Sequence, residues 1–172
     1  MLAPAVLFVQ VLVALHILCV VAAFGVVFAY PIFMTIGARL DPHAMPWFHR
    51  MQQAVSRWLI GPGLLLVVIF GAILASKYHA WSAFYVQWGI GAAIVIGALE
   101  GMFMIPREGR LADLARRDLE AAAARNGEGG GVAIVTHSPE YVTVFREVAI
   151  GGAVLAAIVI VTVYFMATQA GA

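Results

Sequence analysis

The sequence predicts an all-α integral membrane protein, a bundle of four transmembrane helices, and three observations support this. Of the 172 residues, 63% are apolar and only 11% are charged, with a mean hydropathy of +0.97, which is typical of a chain that has lipid as its solvent. The apolar residues form four long, nearly uncharged stretches, and about 20 helical residues cross a hydrocarbon core. These stretches are continuous rather than alternating, which favours helices over a barrel.

The predicted transmembrane helices cover about residues 5–36, 58–77, 83–105 and 140–168, within a single membrane domain of residues 1–172. Pro31 is predicted to kink the first helix, because the apolar pattern continues past it. Gly61-Pro62-Gly63 is predicted to bend the second helix near its start.

The basic residues predict the orientation of the bundle. Four helices place the loops at 39–58 and 106–147 on one side, and the termini with the turn at 77–82 on the other. The first side carries the arginines Arg39, Arg50, Arg57, Arg107, Arg110, Arg116, Arg117, Arg125 and Arg146. Only Lys77 falls on the second side, so the positive-inside rule predicts cytoplasmic loops and outer termini. The richness in Ala, Gly and Val favours a bacterial inner membrane, and a dispersed net charge of +1 argues against nucleic acid as a partner.

Residues 107–137 are predicted to form a cytoplasmic juxtamembrane helix followed by a glycine-rich linker. Two pairs at i, i+4 spacing favour the helix: Asp113 with Arg117, and Arg116 with Glu120. The helix has a thin apolar stripe of Leu111, Leu114 and Ala115. Two interpretations stay open, a helix lying on the membrane surface with arginines at lipid head groups, and a solvated connector.

Small residues recur every four positions in the third transmembrane helix, at Gly89, Ala93, Gly97 and Gly101. Such a ridge lets another helix approach closely. The ridge therefore predicts close helix packing, either within the bundle or with a second copy or another membrane protein, besides contact with the lipid bilayer.

Glu100 lies about 20° around the third helix from Ala93, so it is predicted to face the packed interior. A carboxylate there needs a partner, and Arg57, Arg107 and Arg146 all lie at the same end of their helices. We expect a structural ion pair, with a proton or ion relay and a protonated, hydrogen-bonded Glu100 as alternatives.

His16 is the histidine inside a predicted transmembrane helix, and Cys19 shares its face. Its depth stays open between the outer surface and the midplane, since the apolar run exceeds the required length. At the outer depth His16 is level with His79 and Met166. Imidazole and thioether are suitable axial ligands for haem iron, and imidazole with sulfur suits copper, so these residues are candidate haem b or copper ligands. The alternative is a histidine that ties helices together by hydrogen bonds.

Several local patterns resemble small bacterial membrane proteins of unknown function related to the copper-resistance D family and to the four-helix protoporphyrinogen oxidase. The patterns are Leu15-His16-Ile17 with Phe24-Gly25, then Arg57-Trp58-Leu59, Gly71, Trp88, Gly97 and Glu100-Gly101, and they cover most of residues 5–108. In those relatives the first-helix histidine of a similar His-to-Gly motif is the implied haem or metal ligand. The resemblance implies that role for His16.

Three functions follow as hypotheses, and no catalytic residue is assigned. The first is a cofactor-binding membrane protein with haem b or copper held by His16. The second is a structural or assembly subunit of a membrane complex with no chemistry of its own. The third, a permease gated at Glu100, requires an oligomer to enclose a path.

Overall fold

The computed structural model describes residues 4–126 and 135–170, and in these residues all regular structure is helical. Six α-helices are present: α1 Pro4–Leu40, α2 Met45–Val55, α3 Gly61–Lys77, α4 Phe84–Ala98, α5 Ile105–Asn126 and α6 Pro139–Thr168. The π-helical segment Ser56–Ile60 joins α2 to α3, and a second one, Leu99–Met104, joins α4 to α5. Four continuous helical stretches result, each long and apolar enough to cross a membrane, which confirms this part of the prediction.

Both π segments are followed within two residues by a proline, Pro62 in one helix and Pro106 in the other. Proline lacks an N–H group, and its ring clashes with the carbonyl four residues earlier. A π turn, with its i to i+5 hydrogen bond, accommodates both problems locally without ending the helix. The irregularity predicted at Gly61-Pro62-Gly63 therefore takes the form of a π turn. In α1 the helix continues through Pro31, and the Thr35 hydroxyl donates to the Pro31 carbonyl at 2.8 Å.

The second and third transmembrane helices are much longer than predicted. The stretch Met45–Lys77 has 33 residues and the stretch Phe84–Arg125 has 42, which correspond to about 50 and 63 Å. Both exceed the ~30 Å hydrocarbon core. The helix predicted between the third and fourth transmembrane helices is therefore present, but α5 continues α4 rather than forming a separate element. The predicted glycine-rich linker falls on residues 127–134, outside the described residues.

The long helices contact one another in the order α1, α3, α4, α6 and back to α1, and beyond them α2 and α5 pack together and α5 packs on α6. We call the part formed by α2, α5 and the first turns of α6 the arginine-rich end. The apolar stripe of α5 is buried there against α2 and α6, with Leu111, Leu114 and Ala115 at most 5% exposed. The apolar stripe of α5 is therefore not free to lie on a membrane surface, because α2 and α6 cover it.

Ion pairs hold the arginine-rich end together on its surface. Arg50 contacts Asp113 at 2.6 Å, and Arg117 contacts Glu140 of α6 at 3.1 Å. Asp113 and Arg117 thus bind residues on neighbouring helices, and the predicted pair between them is not formed. The predicted pair Arg116–Glu120 is present at 3.7 Å. The partners of Asp113 and Arg117 could not be predicted from spacing along one helix, because Arg50 and Glu140 lie on other helices.

The small-residue ridge of α4 does not form one contact surface. A Cβ atom at Gly89 would overlap Met166 of α6, whereas one at Gly97 would lie 3.5 Å from Leu64 of α3. Gly101 has open space around it. Four residues turn a helix by about 400°, so each step moves the ridge by about 40° and brings it to a different neighbour. Helices of the same chain therefore occupy part of the ridge.

The outer surface of the four long helices is apolar, with Ile94 68% exposed and Met102 80% exposed. Exposed apolar side chains on this scale mark a surface that is not in water. This surface fits contact with a lipid bilayer and is consistent with a multi-pass membrane protein.

Candidate functional site

The inner face of α2 is polar although it is buried. Met45, His49, Gln52 and Ser56 recur at i, i+4, i+7 and i+11, the spacing of one helix face. The three polar members are at most 4% exposed. Because buried polar groups need hydrogen-bond partners, this face indicates a built polar site between α2 and its neighbours.

Two acidic residues meet this face. Glu100 is 5% exposed and Glu108 is 1% exposed. The Ser56 hydroxyl donates to Glu108 Oε1 at 3.1 Å, and the same side chain lies beside Glu100. The Gln52 amide lies beside Glu108. Two carboxyl groups from one helix thus converge on a single serine of another, and we call Glu100 and Glu108 the acid pair.

The ion pair predicted between Glu100 and an arginine is not formed in the described residues. Arg57 and Arg146 have exposed side chains, and Arg107 donates to Glu147 at 2.7 Å. The physical reason is the helix geometry, since Ser56 faces Glu100 and Arg57, one residue later, faces outward. Glu100 is indeed interior, as predicted, but its neighbours are polar and acidic rather than basic.

Three oxygen atoms of the site are buried and have no hydrogen-bond partner among the described residues: Glu100 Oε2, Glu108 Oε2 and Gln52 Oε1. Burying two carboxylates without a positive partner costs far more than burying the protonated acids. The acid pair can therefore take up a proton. The added proton removes one negative charge and becomes a hydrogen-bond donor to a neighbouring oxygen.

A second polar cluster adjoins the first toward the start of α6. His49 Nε2 and the Tyr141 hydroxyl lie 2.9 Å apart, and His137 stacks on the Tyr141 ring with centroids 4.1 Å apart. Asp118 accepts hydrogen bonds from the Ser138 backbone N–H at 2.8 Å and from its hydroxyl at 3.0 Å. These contacts attach the start of α6 to α2 and α5.

His16 lies between α1 and α3. It is half-buried, and a Cβ atom at Gly71 would lie 3.2 Å from its Cε1. Its Nδ1 is buried and has no hydrogen-bond partner among the described residues. Gly71 lies six residues before the end of α3 at Lys77, about 9 Å along the axis. His16 therefore lies about 9 Å along α3 from its end at Lys77.

The other predicted ligands face different neighbours. His79 is exposed in the turn after α3, with a φ angle of 53°, and Met166 packs on Gly89 of α4. Cys19, one turn after His16, is half-buried. The described residues contain no group of three or more His, Cys, Asp or Glu that could hold a metal ion. His16 and Met166 thus have described neighbours on different helices, Gly71 of α3 and Gly89 of α4.

Sequence reasoning missed Ser56 and Gln52 because it assigned their segment to a charged loop. It missed Glu108 because it placed this residue on a separate polar helix, outside the transmembrane helices. The spacing of Met45, His49, Gln52 and Ser56 is the signal that could have found the polar face.

Comparison with protein-family models, with curated proteins and with solved structures finds no match. The resemblance to the copper-resistance D and protoporphyrinogen oxidase groups therefore stays a prediction.

Proposed function

We propose that this protein binds and releases protons at the acid pair as part of a proton-coupled process in a membrane. The observation that carries the proposal is the convergence of Glu100 and Glu108 on Ser56, both buried and without a basic partner among the described residues. An ionisable residue inside a membrane protein is a functional candidate by default, because it is costly and rarely serves stability.

Glu108 supplies the second acidic group that a proton relay through Glu100 needs. A relay usually needs more than one acidic group, and Glu100 is the only acidic residue in the first three predicted transmembrane helices, residues 5–36, 58–77 and 83–105. Glu108 follows eight residues later on the extended helix and is more deeply buried. The two acids supply neighbouring positions that a proton can occupy in turn.

The helix geometry supports a link between proton binding and movement. Glu100 belongs to one π segment and Ser56 begins the other, and π turns inside α-helices are frequent at functional sites. Two charged carboxylates repel, whereas a protonated acid donates to its neighbour. Loading and unloading the pair therefore change how the two acids of one irregular helix hydrogen-bond to Ser56 of the other.

We also propose that the arginine-rich end faces the cytoplasm of a bacterial inner membrane, with both termini outside. Its support is the distribution of basic residues, with Lys77 alone at the opposite end. The acid pair would then exchange protons with the cytoplasmic side.

The proton-binding proposal is tested by counting protons. Purified protein in unbuffered detergent solution is brought from alkaline to neutral pH, and a pH indicator reports the uptake. We expect Glu100→Gln/Glu108→Gln to take up about one proton fewer than the wild type, and the exposed control Glu120→Gln to match the wild type over this range. Equal uptake by the wild type and the double variant would overturn the proposal.

Haem b or copper binding through His16 is a second candidate, and its support is the buried, unpartnered Nδ1. Its candidate ligands are His16 and Cys19 on one helix, with His79 and Met166 as further candidates. Oxidised and reduced absorption spectra of the wild type and His16→Ala, with a copper assay, test this candidate. A Soret band or bound copper that is present in the wild type and lost in His16→Ala supports this candidate. If the wild type shows no Soret band and binds no copper, a structural or assembly role for this part of the bundle is favoured.

A further inference from the structure

An apolar groove with a volume of about 290 Å³ lies between α3 and α4 on the outer surface. Its walls include Gly61, Leu64 and Val68 of α3 and Ile90, Ala93 and Ile94 of α4. The small residues Gly61 and Ala93 leave the space that larger side chains would fill. The groove runs over about 10 Å of α3, from Gly61 to Val68.

A positive charge stands at one end of the groove. Arg57 precedes Gly61 by four residues and Leu64 by seven, so all three lie on one face of the helix. Its side chain is exposed, its guanidinium lies 5.9 Å from the Trp58 ring centroid, and no carboxylate among the described residues pairs with it. Trp58 is itself 75% exposed.

The depth of Arg57 matches a lipid head group. Arg57 and Lys77 are 20 residues apart on one continuous helical stretch, a rise of about 30 Å, which is the thickness of the hydrocarbon core. Tryptophan is enriched at this interface, and the guanidinium fork fits phosphate oxygens.

We propose that the groove binds one anionic phospholipid, with an acyl chain between α3 and α4 and the phosphate at Arg57. The apolar walls select a hydrocarbon chain, and the unpaired guanidinium selects a negative head group. A second copy of the chain in the same membrane orientation fits less well, because a two-fold axis would bring the two Arg57 side chains to the same depth and close together.

Native mass spectrometry of the detergent-purified protein tests this site. The protein is titrated with phosphatidylglycerol and with phosphatidylcholine that carry identical acyl chains. We expect one phosphatidylglycerol to bind about fivefold more tightly than phosphatidylcholine, as one basic residue near an anionic lipid predicts. Arg57→Ala should remove this preference, and Ala93→Leu, which fills the groove, should weaken both lipids.

The control is Arg146→Ala, an exposed arginine at the same end but on α6, which should keep the wild-type preference. Equal affinity for the two lipids in the wild type, or unchanged binding in Ala93→Leu, would overturn the proposal. A wild-type dimer that Ala93→Leu dissociates would overturn it in favour of a second copy.

Discussion

At the scale of single residues, Ser56 is the contact between the two helices of the acid pair. Its hydroxyl donates to Glu108 at 3.1 Å and lies beside Glu100. A serine in this position supplies one hydrogen for two carboxyl groups. The second group therefore needs a donor of another kind, and a proton shared within the pair provides it.

Ser56→Ala removes the donor from a fully buried carboxyl group. We expect this variant to lower the free energy of unfolding by about 1–3 kcal/mol, the cost of leaving a buried polar group unsatisfied. The control Ser82→Ala removes an exposed serine in the turn before α4 and should stay within about 0.5 kcal/mol of the wild type. Denaturation of the detergent-solubilised protein measures both, and an equal effect of the two variants would contradict the buried contact.

The sequence predicts the interior position of Glu100 but not its surroundings. The direction in which Glu100 faces follows from its spacing to Ala93 on one helix. Its neighbours depend on how α2 packs against α5, which no pattern within one helix reveals. The arginines near the helix ends are therefore predicted as partners of Glu100, but among the described residues none of them pairs with it.

At the scale of helices, Pro106 lies between the two residues of the acid pair. Pro106 follows the π segment Leu99–Met104 that contains Glu100, and Glu108 follows the proline. The wider turn sets the angle between the two acids around the helix axis, because each residue in an α-helix turns the side chain by about 100°.

Pro106→Ala restores the missing N–H group and removes the clash that favours the π turn. We expect the segment to shift toward regular α-helix, which turns Glu100 away from Glu108 and reduces proton uptake in the indicator assay. Pro31→Ala is the control, since Pro31 lies in α1, which is α-helical on both sides of it, and its uptake should equal that of the wild type. Full uptake in Pro106→Ala would show that the π turn does not set the site.

The sequence predicts the existence of the long helices but not their ends. Apolar composition marks only the part of a helix that faces lipid or the apolar core. The polar helices α2 and α5 continue beyond it because they bury their inner faces against each other, with Leu111 and Met45 at most 1% exposed. The sequence therefore predicts a loop at α2 and a separate helix at α5, and only their packing reveals that both continue the apolar helices.

At the scale of the whole molecule, the protein divides into an apolar part and an arginine-rich end. A core around Phe24, Ile60 and Leu155 fills the apolar part, and a core around Met45, Leu111 and Tyr141 fills the arginine-rich end. The acid pair lies where these parts meet, since Ser56 and Glu100 join the polar helices to the apolar ones.

The proposed orientation is tested by labelling single cysteines in a Cys19→Ser background. We expect Thr168→Cys, at the end of α6, to react with a membrane-impermeant maleimide in intact spheroplasts. Thr136→Cys, at the arginine-rich end, should react only after the membrane is permeabilised. The reverse labelling pattern would contradict the orientation.

Proton binding at the acid pair is tested most directly by infrared spectroscopy of the protein in lipid nanodiscs at neutral pH, which detects the C=O stretch of protonated carboxylic acids. We expect a protonated carboxyl band in the wild type that Glu100→Gln/Glu108→Gln loses and the exposed control Glu120→Gln keeps. A wild-type spectrum without this band, or one that the double variant leaves unchanged, would contradict proton binding at the acid pair.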